Sequence, residues 1–572
     1  MRFDAKTRAP LVKHLLAPMK VVRVLFVLLI SFAAQPCASQ QTSAIASAHP
    51  LATAAGRAIL DRGGNAFDAA IAVAAALAVV EPYSSGLGGG GFFLLHRAAD
   101  AREVMVDARE TAPSGVTSAH YFDAQGRPIP GATVRGGTAA GIPGLPAGLA
   151  HVAERYGKLP LAVSLAGAIA LARDGFAVDA RYALITQRRE SFLQSGVNTR
   201  GFLNEGKAPE TGFILRQPDL ATTFERIARS GAAGFYEGPV AAALVESVNG
   251  AGGAWRASDL SSYKVVEREP VRFRYRGASI TAAALPSAGG IALAQALGML
   301  ERFAPGRIGA PDVDHLVVEA LRRAFHDRAR YLGDPDFVPI PVARLLAADY
   351  IRKSGADIDR SRATPSATMG PVETVQHGSS STSHLSVVDA EGNRVAATLT
   401  INLLFGAGVV PPGTGVLLNN EMDDFSLRAD LPNAFRLQGG GANRIEPGKR
   451  PLSSMTPVFV EDEKGVLVVG APGGSRIVSQ VLLAILEYLR APEVDLNRLV
   501  AAPRYHHQYW PDVVEIEPQG FSQEWRAAMS AKGHALQPVN RAWGNMQAVF
   551  KARRGGAALA ASDPRGVGIA WY

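Results

Sequence analysis

The sequence predicts an α+β fold, helix-rich in its front part and strand-rich behind it. Three observations point there. Alanine-rich and amphipathic stretches fill the chain to about residue 375, the apolar period changes to two at Thr382, and the later strand candidates are joined by short turns. With 572 residues, 47% hydrophobic and 19% charged, the chain has material for a large core.

Taken in order, the first segment is an address. Residues 1–39 carry six basic residues against Asp4 alone, which is +5 of the formal +8 and leaves +3 for the rest. That near-balanced body offers no electrostatic footprint for nucleic acid. The basic segment leads into Val24-Leu25-Phe26-Val27-Leu28-Leu29-Ile30 and then the small residues Cys37-Ala38-Ser39. This is the pattern of a signal peptide ending near Ser39, too short for a membrane span, and it predicts a secreted or periplasmic protein. Met1 and Met19 are both candidate starts. Cys37 is the only cysteine, so the exported body has no disulfide. No Cys/His spacing suits a metal, and no metal or cofactor is expected; the pair His506-His507 lacks further ligands at useful intervals.

The body opens with a helix from His49-Pro50 to Gly63-Gly64 and a second from Ala66 to Val80, with Asn65 as its N-cap. At about fifteen apolar residues the second is a buried core helix, not a membrane span. Gly86, Gly88 and Gly91 formally satisfy a dinucleotide fingerprint, but they follow a helix and open a strand at Phe92, the reverse of what nucleotide binding requires. A close backbone passage is the better account. Val104–Asp107 is the next strand, ending at Arg109-Glu110-Thr111-Ala112-Pro113, where an arginine could grip a carboxylate. Residues 140–375 read mainly as helices, including Pro146–Tyr156, Leu161–Arg173 and Val313–Leu332, with turns at Glu210-Thr211-Gly212 and Pro286–Gly290. The Ser/Thr/Pro-rich stretch Ser361–Val375 reads as an exposed connection. Strands are expected at Leu385–Asp389, Arg394–Ile401, Ser454–Val460, Val466–Gly470 and Val513–Pro518, with a helix at Arg476–Leu489.

The chemistry is expected at Ser381-Thr382-Ser383. A threonine hydroxyl is a weak nucleophile, but a free α-amine on the same residue, of pKa about 7.7 to 8.0, can serve as its base. Cleavage between Ser381 and Thr382 would supply that amine, giving a large chain of residues 40–381 and a small one of residues 382–572. Four further polar runs follow: Thr398–Asn402, Leu418–Phe425, Pro451–Met455 and Ala471–Arg476. Each alone is an ordinary turn or strand end; four of them behind one threonine suit a site.

These runs, with the segment from His49 to Gly91, the Arg109–Pro113 loop and Ala561-Ser562-Asp563-Pro564-Arg565-Gly566, resemble the gamma-glutamyltranspeptidase family from about Ala46 to Tyr572. The resemblance implies an N-terminal nucleophile hydrolase fold: a four-layer αββα sandwich of two antiparallel sheets flanked by helices. It implies autocleavage, a large and a small subunit that stay associated, and Thr382 attacking the γ-carbonyl of glutathione or another γ-glutamyl compound. Water, an amino acid or a dipeptide would accept the γ-glutamyl group. By resemblance, Thr400 bonds the nucleophile and Gly473 and Gly474 form the oxyanion hole. Arg109, Ser453 and Ser454 would bind the α-carboxylate, and Asn402, Glu421 and Asp424 the α-ammonium.

Two departures stand out. Ser383 replaces a second threonine, and Phe435 stands where a tyrosine is common, in a lid-like loop at Pro432-Asn433-Ala434-Phe435. Loss of that hydroxyl would favour water over an amine acceptor, and the lid argues against a depolymerase of capsule polymers. A cephalosporin (glutaryl) acylase is the alternative enzyme, disfavoured by Glu421 and Asp424, which such an acyl group would leave without an ammonium partner. An uncleaved binding protein is the alternative of another class, disfavoured by the intact Thr382, Thr400 and Gly473-Gly474.

Overall fold

Two antiparallel sheets lie face to face between layers of helices, in a computed structural model that describes residues 42–304, 306–370, 381–428, 433, 434, 436, 437 and 440–572. The first sheet has seven strands in the order Ala570–Trp571, Ala44–Ser47, Ser383–Val388, Arg394–Thr400, Gly90–Arg97, Arg102–Ala108 and Val266–Arg268. The second has six, in the order Ala558–Ser562, Gln547–Ala552, Gly465–Gly470, Val458–Glu461, Ala278–Ala282 and Val271–Tyr275. This is the expected αββα sandwich. The expected leader, residues 1–39, and residues 371–375 of the connection lie outside the described residues.

Burial on both faces explains why the strand Gly90–Arg97 runs apolar from Phe92 to Leu95 without alternating. In the strand Gly90–Arg97, Phe93 and Leu95 join the core under the first helical layer, while Phe92 and Leu94 join the core that reaches the second sheet. The helix Ala66–Val80 is buried along its whole length, and a capping box of Asn65 and Asp68 starts it. Its Ala66 N–H also donates to Asp389 Oδ2 at 2.9 Å, which ties the helix to the turn between the two central strands. Among the described residues no helix is long and apolar enough to cross a membrane.

Two features differ from expectation. The block 140–375 is largely helical, but it also supplies the strands Val266–Arg268, Val271–Tyr275 and Ala278–Ala282. Val271-Arg272-Phe273-Arg274-Tyr275 alternates strictly, and Gly277, with φ of 85°, turns the hairpin, so the period-two signal was present there. The connection after Ser361 is not wholly exposed either: Ser366 is buried, its N–H donating to Asp512 Oδ2 at 2.7 Å.

The sequence boundary at Thr382 is not a spatial one. Four strands of the first sheet precede Ser381 and three follow it, and the strand Ser383–Val388 pairs with Ala44–Ser47 on one side and Arg394–Thr400 on the other. Pieces cut at this bond would therefore share one hydrogen-bonded sheet.

Candidate active site

Register sets the centre of the site. Leu399 pairs with Ser383 in the two central strands, which puts Thr400 beside Thr382 where both strands end. Thr382 is only 8% exposed. Its hydroxyl donates to Ser381 O at 2.5 Å, the carbonyl of the bond expected to break. Thr400 Oγ1 donates to the same oxygen at 3.2 Å and accepts from Asn402 N–H at 2.7 Å. Ser381 is held in turn by its N–H on Asn402 O and its hydroxyl on Tyr83 O. In the uncut chain the Thr382 nitrogen is a peptide nitrogen and has no basic lone pair.

The second sheet brings in the glycine loop. Gly470 ends the strand Gly465–Gly470 against His384, so close that a Cβ there would lie 2.3 Å from the imidazole. The chain then passes through Pro472, Gly473 and Gly474 into the helix Arg476–Arg490, with φ of 139° at Gly473 and 59° at Gly474. Both values favour glycine. Gln480 braces the turn by donating to Pro472 O at 2.8 Å. Among the described residues no acceptor takes the N–H of Gly473 or Gly474.

The charged groups meet on the other side. Arg109, 1% exposed, places Nη2 2.5 Å from Asp424 Oδ2, Nη1 2.8 Å from Glu421 Oε2 and Nη1 3.3 Å from Glu110 Oε2. The contact to Glu421 is off the N–H axis, so both Glu421 oxygens keep unused acceptor capacity. Burial pushes the carboxyls of Glu421 and Glu110 above the ordinary range, against the pull of Arg109. Asp423, behind them, is pushed up to about 7 by burial while accepting from Thr133 Oγ1 and Ala434 N. The short turn Glu421–Asp424 is positioned by its own sequence: Asn419 accepts from the N–H of Gly141 and Glu421 and donates to Gly88 O and Gly141 O. The glycine run 86–91 is therefore part of the frame, and its tightness is real, since a Cβ on Gly89 would lie 2.0 Å from Thr400 O.

Ser453 is fixed by backbone bonds to Pro286 O and from Ala288 N, so the predicted turn Pro286–Gly290 serves as its support. Its hydroxyl accepts from Met455 N at 3.0 Å, whereas the Ser454 hydroxyl is buried without a partner. Asn402, at φ of 71°, donates through Nδ2 to Asn420 O.

One pocket is lined by Thr382, Thr400, Asn402, Arg109, Glu421, Asp424, Ser453, Ser454 and Gly474, with Gly473 adjacent in the chain. The structure thus brings Thr382, Thr400, Gly474 and the six expected substrate-binding residues to one pocket. Pro432 and Phe435 of the lid-like loop lie outside the described residues. The pocket also contains Met455 and Ser475, which lie in the expected polar runs without an assigned role, and Arg328, Leu437 and Ile477, which sequence reasoning missed. For Arg328 a signal existed: the helix Pro311–Tyr331 commits Leu316, Val317, Ala320, Leu321, Ala324 and Phe325 to the core, which leaves too little outer surface for all its charges.

One group of side chains away from this pocket has metal-like proximity: His315, Glu319 and His534. His315 Nδ1 and His534 Nε2 are hydrogen-bonded at 2.7 Å, and Glu319 is already bracketed by Arg322 and Arg323. A dication there would have to displace two buried guanidinium groups, so the donor set does not fit a metal.

Comparison with known proteins decides the kinship: the profile described as Gamma-glutamyltranspeptidase matches residues 52–572. The chain belongs to the gamma-glutamyltranspeptidase family. It is 40% identical over 530 residues to a glutathione hydrolase proenzyme of Escherichia coli strain K12, covering 91% of this chain and 90% of that one. Among solved structures, a cephalosporin acylase from Bacillus halodurans superposes with a TM-score of 0.81 at 28% identity, over 93% of this chain and 96% of the other. The gamma-glutamyltranspeptidase of Helicobacter pylori gives 0.55 at 36% identity, over 57% of this chain and 94% of the other. As a gamma-glutamyltranspeptidase relative the chain is an enzyme of the N-terminal nucleophile hydrolase superfamily.

Proposed function

We propose that the protein is an autoprocessed gamma-glutamyltranspeptidase and glutathione hydrolase, exported to the periplasm, with Thr382 as its nucleophile. The observation that carries this is one pocket holding Thr382 beside a carbonyl it can attack and, opposite, a guanidinium with two carboxylates.

Processing begins with Thr382 Oγ1 adding to the Ser381 carbonyl carbon. The carbonyl oxygen becomes an oxyanion, which the Thr400 hydroxyl is positioned to stabilise. Collapse breaks the C–N bond as the proton lost from Oγ1 passes to the departing nitrogen, leaving residue 381 as an ester on Thr382 and freeing its α-amine. Water then releases the large chain, residues 40–381, from the small one, residues 382–572. The shared sheet keeps the heterodimer together.

In the mature enzyme the α-amine takes the proton from Thr382 Oγ1 as that oxygen attacks the substrate γ-carbonyl. The N–H groups of Gly473 and Gly474 receive the developing negative charge. The amine leaves with a proton, and the γ-glutamyl ester passes to water, an amino acid or a dipeptide. Glu421, Asp424 and Asn402 suit the α-ammonium; Arg109, Ser453 and Ser454 suit the α-carboxylate. Holding both ends of the glutamyl group decides which carbonyl reaches Thr382. The likeness to a cephalosporin acylase raises glutaryl transfer as a second reading, and the carboxylates around Arg109 favour an acyl group that bears an ammonium.

The test is anilide release from γ-glutamyl-p-nitroanilide, with and without a dipeptide acceptor, beside glutaryl-p-nitroanilide. Release from the γ-glutamyl substrate, faster with acceptor, is expected. Release from the glutaryl substrate alone would overturn the assignment.

A further inference from the structure

Arg328 stands apart from every other buried charge on its helix. Along Pro311–Tyr331, Arg322 and Arg323 share Glu319 and reach Asp512 and Asp357, and Asp327 accepts from Gln295 and Tyr350. Arg328 is 4% exposed and lines the pocket that holds Thr382. Yet its guanidinium makes no hydrogen bond or ion pair among the described residues, and its Nε is enclosed without an acceptor. The carboxylate that acts on it is Asp424, through space, and Asp424 Oδ2 is already 2.5 Å from Arg109. Burial draws Arg328 down to about 10, which still leaves it fully charged at neutral pH.

Ser454 lines the same pocket, and its hydroxyl is also buried and unpartnered. Arg109, by contrast, faces three carboxylates, so its charge is locally compensated. A carboxylate entering this pocket meets one neutralised guanidinium and one that is not. A rigid fork of N–H donors with a hydroxyl beside it is the complement of a carboxylate.

Building on the γ-glutamyl reading above, we propose that Arg328 is a specificity-determining residue: a second guanidinium, beside Arg109, that receives the substrate α-carboxylate together with Ser454. Arg109 then serves both ends of the glutamyl group, holding Glu421 and Asp424 while it touches the carboxylate. Arg328 serves the carboxylate end alone. The two arginines should accordingly differ when that carboxylate is removed from the ligand.

The experiment compares L-glutamate with 4-aminobutyrate, its analogue without the α-carboxylate, as competitive inhibitors of γ-glutamyl-p-nitroanilide hydrolysis. Wild type and Arg328→Gln are first shown on a denaturing gel to be equally processed. In Arg328→Gln the inhibition constant of L-glutamate and the KM of the anilide should rise at least about 30-fold, and the constant of 4-aminobutyrate should change less than about 3-fold. An equal loss for both ligands means a structural role and overturns the proposal, as does no loss for either. Should Arg328→Gln not yield processed protein, Arg328→Lys, which keeps the charge without the fork, is expected to show a smaller selective loss for L-glutamate; a loss shared with 4-aminobutyrate overturns the proposal in the same way. A wild type that neither releases the anilide nor binds L-glutamate fails the γ-glutamyl reading itself, whereas an active wild type with an unaltered Arg328→Gln fails this inference alone.

Discussion

Replacing Thr400 by valine isolates one hydroxyl at the centre of the processing step. Valine keeps the shape and volume of a residue that is 4% exposed, so the strand end stays filled. Two interactions go. The Asn402 N–H loses its acceptor at 2.7 Å in a buried place, which costs about 1 to 3 kcal/mol of stability. Ser381 O loses its donor at 3.2 Å, the group placed where charge develops during attack. Removing one such donor slows acyl chemistry by about 10²- to 10³-fold, and the long 3.2 Å contact argues for the lower end. The assay is a time course on a denaturing gel at pH 7.5, following conversion of freshly purified chain into two bands, with thermal melting run in parallel. Processing slowed about 100-fold, in protein that still melts cooperatively, is expected. A Thr400→Val chain that cuts itself at the wild-type rate would refute the role given to this hydroxyl.

Three further outcomes follow from the buried charges and the shared sheet. Arg109→Met leaves Glu110, Glu421 and Asp424 without their cation and should cost about 3 to 5 kcal/mol, seen as a lower melting temperature. Since burial holds the Glu421 and Glu110 carboxyls above the ordinary range, these two can take up protons at low pH, and the loss should be larger at pH 8 than at pH 5; equal losses would contradict the ion-pair account. Asp423, pushed up to about 7, binds a proton in the folded state that it gives up when unfolded, so its contribution is complete at low pH and fades as pH rises through 7. Between pH 5 and 8 this amounts to about 3 kcal/mol, and Asp423→Asn should flatten that slope; Asn keeps an acceptor for Ala434 N–H, and the Thr133 hydroxyl can turn to accept from its amide. The two chains of the cut protein should elute together in size-exclusion chromatography and separate only in denaturant.

Much of this was legible before any coordinates, because the signals were local. Asn65 and Asp68 mark a helix start by capping chemistry, and that helix begins at Ala66. Thr382 and Thr400 stand at the ends of paired strands, Gly473-Gly474 follows the strand Gly465–Gly470, and the polar turn Glu421–Asp424 is carried by the loop after Arg394–Thr400; these positions converge on one pocket. The hairpin Val271–Ala282 was overlooked although it alternates, because the helical block around it dominated the pattern. Arg328 was less legible: a helical arginine is ordinarily solvated, so the apolar commitment of Pro311–Tyr331 is a weak signal, and the fold is what leaves this one 4% exposed with its Nε enclosed without an acceptor. That Arg109 is shared by three carboxylates was likewise invisible, since Glu421 and Asp424 are distant from Arg109 in the chain and meet it only through the fold.

The central claim is that Thr382 cuts the chain before itself and then carries the acyl group. It is tested most directly by intact-mass and N-terminal analysis of purified wild type and Thr382→Ala, each incubated with γ-glutamyl-p-nitroanilide. The account predicts two chains for wild type, the smaller beginning at Thr382 and releasing anilide, and one uncut, inactive chain for Thr382→Ala. A wild type that remains a single chain with full activity, or a Thr382→Ala protein that is still cut before residue 382, would contradict it.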